Sequence, residues 1–87
     1  MQRMYKKYIE VEMLVNKMGD ITPLALIWND ERYEIDKIIR HKPQCHSKSC
    51  GGGGQMFVIQ INGATRTIYY EYMPPYKYRW FIESLRP

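Results

Sequence analysis

Eighty-seven residues supply one domain and no second core; at this length only about 60–65% of the unfolded surface is buried, so the core is one thin layer and dimerisation would help it. An apolar content of 45%, with eight Tyr, two Trp and two Phe, excludes disorder along the whole chain. Thirteen basic against nine acidic residues give a net charge of +4, which tolerates an anionic partner without requiring one.

The N-terminal stretch MQRMYKKYIEVEML carries charges throughout and has no apolar core of the kind a leader needs. The longest apolar run, 23-PLALIW-28, is far short of a membrane span. No membrane role is expected, and a cytoplasmic location follows by default. Two Cys in a reducing compartment are expected as thiols rather than a disulfide.

Along residues 8–15, Ile9, Val11 and Met13 point one way and Glu10 and Glu12 the other, the period of two that marks a half-buried strand. The run 16-NKMGD-20 supplies turn residues, and a second strand follows in 21-ITPLALIW-28. Pro23 cannot donate to a ladder, so it belongs near the strand start or on an unpaired edge. After the turn 29-NDE-31, the segment 32-RYEIDKIIRH-41 alternates through Asp36 and then loses phase at Ile38-Ile39, which predicts a bulge or bend. Ile35, Ile38 and Ile39 also have helical spacing, so a helix over 31–40 competes. The strict alternation and weak cap favour the strand.

From Gln55 the pattern is plainly sheet. The strands 55-QMFVIQI-61 and 65-TRTIYYEY-72 flank Asn62-Gly63, the dipeptide best suited to a type I′ hairpin turn. Two prolines stiffen 73-MPPYKY-78, and 79-RWFIES-84 makes a short last strand. Five strands with short links predict an all-β chain: a small antiparallel five-stranded barrel or strongly bent sheet, SH3-like in shape. Residues 1–87 form a single domain with a flexible Gly-rich connection at 42–54.

The order PLALIW, ND, ERYEIDKII, then GGGG before a strand, then RTIYYE and RWFIE resembles a group of short uncharacterised bacterial all-β proteins. The resemblance covers most of residues 8–84. It implies no established activity, and lends no support to a metal site.

The stretch 41-HKPQCHSKSCGGGG-54 places His41, Cys45, His46 and Cys50 within ten residues, a ligand menu that zinc accepts. The spacing is not that of a usual zinc knuckle, and His41 and His46 would have to fold back over Pro43. An exposed loop without cofactor is the expected reading, with zinc the alternative. Neither Cys lies in a C-x-x-C at a helix start, and Cys45-His46 in a mobile loop does not hold the rigid pair that nucleophilic catalysis needs. Gly51–Gly54 precede a strand rather than a helix, so they are no phosphate loop. They read as a hinge that would permit strand exchange between subunits.

Near the C-terminus, 76-YKYRW-80 interleaves cations with aromatic rings. Tyr76, Lys77, Tyr78 and Arg79, with Arg66, are the candidate binding residues, because single-stranded nucleic acid needs rings to stack on and cations along its backbone. The same rings serve equally as core and as cross-strand pairs. Glu31, Glu34 and Asp36 cluster near one turn but lack a positioned His, and read as a solvated face together with Glu10 and Glu12. The expectation is a small non-catalytic protein-interaction or structural module, self-associating as a homodimer and binding a further, unidentified protein. A single-stranded nucleic-acid-binding domain and a zinc-stabilised domain are the alternatives.

Overall fold

The computed structural model describes residues 4–47, 53–75 and 77–84. The chain is all-β, an antiparallel sheet curled strongly into a half-barrel. Its strands are β1 (Tyr5–Val15), β2 (Ile21–Trp28), β3 (Glu31–Glu34), β4 (Lys37–His46), β5 (Gly53–Ile61), β6 (Ala64–Met73) and β7 (Lys77–Ser84). The order across the sheet is β3-β2-β1-β7-β6-β5-β4.

Among the described residues there are seven strands rather than the expected five, and the contested segment after residue 30 supplies two of them, β3 and β4. It is extended rather than helical, and it changes neighbours at Ile35-Asp36. β3 pairs with β2, from Ala25↔Glu34 to Trp28↔Glu31. Then the Ile35 amide donates to the Leu24 carbonyl and the Asp36 amide to the Gln60 carbonyl, at 2.9 and 2.8 Å. β4 continues on β5 from Lys37↔Gln60. This one segment therefore ties the two margins of the sheet together, and Ile35 and Ile38 both reach the core. The register slips between Ile38 and Arg40, where the sequence loses phase.

The turns follow their residues. Asn62 (φ 50°) and Gly63 (φ 78°) have the two positive φ values that a type I′ turn requires. Asn29 (φ 49°) and Asp30 (φ 65°) make the same kind of turn between β2 and β3. In the β1–β2 turn the Asn16 side-chain oxygen accepts from the amides of Met18 and Asp20, each at 2.9 Å. Pro23 lies early in β2, opposite Met13 and just past the register shift at Glu12/Met13, beyond the reach of β3. There its missing N–H breaks no pairing with β3.

Of the connection expected at 42–54, residues 42–46 continue β4, while Gly53 and Gly54 open β5 opposite His46 and Cys45. The core fills the concave face with Leu26, Phe57, Ile59, Ile61, Ile68, Trp80 and Ile82. Among the described residues no helix is long and apolar enough to cross a membrane.

Candidate interaction surface

Alternation along β6 and β7 sends Ile68, Tyr70 and Tyr72, with Tyr78, Trp80 and Ile82, to the concave side. Direct cross-strand pairs join Tyr70 to Trp80 and Tyr72 to Tyr78. The rings form a continuous ladder. Tyr72 and Tyr78 are 4.9 Å apart, Tyr78 stacks on Tyr70 at 4.9 Å and 10°, and Tyr70 meets Trp80 at 4.7 Å. Trp80 then meets Phe57 at 5.5 Å, and Phe57 stacks on His41 at 4.2 Å and 7°. Burial raises the Tyr70 phenol above its ordinary range, with the Tyr78 phenol adding to it.

The middle of the ladder is core and its ends are surface. Phe57 and Trp80 are buried, whereas Tyr72 is 46% and Tyr78 56% exposed. By register, the β1–β2 and β6–β7 connections lie at the same end of the sheet. That end also carries Leu14, Val15 and Met18, at 57, 52 and 78% exposure. β1 leaves β7 after Ile9↔Trp80, so residues 77–79 of β7 pair only with β6. Exposed aromatic and aliphatic side chains thus share one end of the sheet with a partly unpaired strand margin.

The convex face holds a second cluster, which the sequence pattern did not show. Phe81 is fully buried there, under Tyr69 stacked at 5.0 Å and Tyr8 edge-on at 6.1 Å. Glu71, only 5% exposed, accepts from Lys6 Nζ and from the Tyr8 hydroxyl, both at 2.9 Å. Arg79 lies 3.7 Å from Glu71, donates to the Tyr8 hydroxyl at 2.9 Å and covers the Tyr8 ring at 3.8 Å. Burial alone would raise the Glu71 carboxyl, but the bonds from Lys6 and Tyr8 and the Lys6 and Arg79 charges outweigh it, so it sits below its ordinary range. Ser47, at the end of β4, donates to Glu83 at 2.7 Å and is itself buried. Burial first, and then the Glu83 carboxylate, hold the Tyr69 phenol far above its usual value. The cluster joins Lys6 of β1 to Glu71 and Arg79 of the paired strands β6 and β7, 65 or more residues away, and no local pattern links the first to the other two.

The candidate binding residues that the structure describes lie on both faces of the sheet. Tyr78 lies on the concave face, while Lys77 and Arg79, its neighbours on one strand, lie on the convex one, because strand side chains alternate. Arg66 is five residues along β6 from Glu71, the partner of Arg79, or roughly 16 Å. Its guanidinium donates to the Thr65 carbonyl at 3.4 Å. Tyr76 lies outside the described residues. Lys37, Arg40 and Lys42 stand opposite Gln60, Val58 and Met56, a basic row on the convex side of edge strand β4. Edge strands commonly carry such charges, which discourage further pairing.

The described part of the Cys/His stretch is spread out as well. His41 stacks on Phe57 and its Nε2 lies 2.9 Å from Gln55 Oε1. Cys45, opposite Gly54, has its Sγ 3.8 Å from Met56 Sδ, and His46, next along the strand, turns to the other side. Cys50 lies outside the described residues, and among those described no three His, Cys, Asp or Glu side chains gather as a metal centre requires.

No family model, curated protein or solved structure matches the chain, so the resemblance to short bacterial proteins rests on the residues quoted above.

Proposed function

We propose that the chain is a non-catalytic protein-interaction module that self-associates through the end of the sheet bearing Tyr72 and Tyr78. One observation carries this reading: Tyr72, Tyr78, Leu14, Val15 and Met18 are all large, apolar and exposed at that end. Tyrosines fixed by a stacked ladder lose little entropy when a partner covers them, and such rings are enriched in interfaces. Charge supports a second copy as the partner. Residues 1–36 carry five basic and seven acidic side chains, whereas residues 37–84 carry seven basic and two acidic. The β1–β3 region of one copy is therefore complementary to the β4–β7 region of another. A thin core gains most from being covered. The carboxylates near the β2–β3 turn already have structural partners: Glu31 accepts from Tyr33, Glu34 lies 3.8 Å from Arg32, and Asp36 accepts from the Asn62 amide.

Sedimentation equilibrium tests the reading. The expected mass is twice the 10.5 kDa of one chain, returning to one chain in a Met18→Ser/Tyr78→Ser variant. A single-chain mass at every accessible concentration overturns it.

A single-stranded nucleic acid is the second reading, favoured by the basic excess of residues 37–84. Its signature is affinity that falls steeply with added salt and drops about 5- to 150-fold in Tyr78→Ala, the equivalent of losing one stacked base. Binding to an oligonucleotide and to a base-free polyanion with equal affinity would remove stacking, and with it this reading.

A further inference from the structure

At the opposite end of the sheet from the tyrosines, the half-barrel opens into a cleft of about 670 Å³. We infer that this cleft is a binding site for a small amphipathic carboxylate, with an aliphatic tail on Leu26, Trp28, Ile61 and Ile82 and its carboxylate on Arg66. The volume falls within the roughly 300–1,000 Å³ typical of small-molecule pockets, and the mouth of a curled sheet is a usual place for one. Leu26, Ile61 and Ile82 are almost wholly buried and form an apolar floor, with Trp28 and Tyr33 half-buried as walls.

Charge at the rim selects the head group. Arg66 lines the cleft and is exposed. Among the described residues its one hydrogen bond, to the Thr65 carbonyl at 3.4 Å, leaves most of its five donors available. A planar guanidinium matches a carboxylate in a two-pronged arrangement that a lone ammonium does not. The one acid in the lining, Glu83, accepts from Ser47 at 2.7 Å on the convex side, which moderates its repulsion of a bound anion. Trp28 lies among these residues, so its indole reports occupancy.

The test is titration of the ¹⁵N-labelled full chain with decanoate and with decanol, read by NMR and by calorimetry. Decanoate is expected to saturate at one per chain, with the largest shifts at the Trp28 indole, Arg66, Thr67 and Ile82. Arg66→Gln should weaken decanoate about fivefold or more while leaving decanol unchanged, since only the carboxylate uses the guanidinium. Failure of decanoate to saturate overturns the inference, as do shifts centred on Tyr72 and Tyr78 or equal loss of both probes in Arg66→Gln. None of these outcomes bears on self-association at the other end.

Discussion

The concave and convex faces of this sheet are held together by different physics. On the concave face, seven buried apolar side chains meet in one cluster, and their stabilisation scales with the area removed from water. On the convex face, Phe81 is buried just as fully, but beneath a Lys6–Glu71–Tyr8–Arg79 network that is itself partly exposed. The first kind of core tolerates swaps of similar volume, whereas the second depends on one buried carboxylate keeping its partners. A thin sheet that must bury rings on both sides has too little chain to cover the second side with aliphatics, so long polar side chains lie over it instead.

The strongest test of this contrast pairs one deletion on each face. Phe57→Ala and Phe81→Ala should each cost about 3–5 kcal/mol in urea unfolding, because both rings are fully buried. If Phe81→Ala costs under about 1 kcal/mol, the convex cluster is surface decoration.

Glu71→Ala comes next, with an expected loss of about 2–3 kcal/mol, since two direct bonds to a buried carboxylate disappear. Its pH dependence has a definite sign. The folded carboxyl lies below its ordinary value of 4.5, so its contribution is present above that value and is lost as pH falls through the lower folded value. Burial lowers the Lys6 ammonium, but the bond to and charge of Glu71 more than reverse this and raise it above 10.5. Its contribution is therefore complete below 10.5 and fades as pH rises through the folded value. Unfolding at acid pH should show this carboxylate step in the natural chain and lose it in Glu71→Ala. Persistence of the step in the variant would assign it elsewhere.

Gly54→Ala should cost about 1–3 kcal/mol, as judged by the unfolding midpoint. An added Cβ would lie 2.9 Å from the Tyr70 carbonyl oxygen, which is backbone and must be pushed away. The smallest effect is expected at the exposed end of the ladder. Tyr78→Ser should change monomer stability by less than about 1 kcal/mol, the scale of one cross-strand pair, while weakening self-association. A larger loss of stability would make Tyr78 a core residue rather than a surface for a partner.

Much of the sheet was legible because its signals are local. The alternation at Ile9, Val11 and Met13, the Asn62-Gly63 turn and the slip at Ile38-Ile39 each depend on neighbouring residues alone. The second I′-type turn, at Asn29-Asp30, was less plain because neither residue is glycine, although both tolerate positive φ. In the basic and aromatic stretch 76-YKYRW-80, the sequence alone did not show how the described side chains divide between the faces. Proximity in sequence is not proximity in space on a strand, where Tyr78 and its neighbours Lys77 and Arg79 leave on opposite faces.

By itself, then, the sequence determined that this chain is β throughout, where most of its turns lie, and which rings are available to pack. Periodicity and turn chemistry act over a few residues, and that range suffices for those features. Only the tertiary structure decided that residues 31–46 change neighbours midway and join the two margins of the sheet. It alone brought Lys6 to Glu71 across 65 positions and left Tyr78 on the surface while burying Trp80 two residues away. Those outcomes depend on curvature and on long-range pairing, which no local pattern encodes.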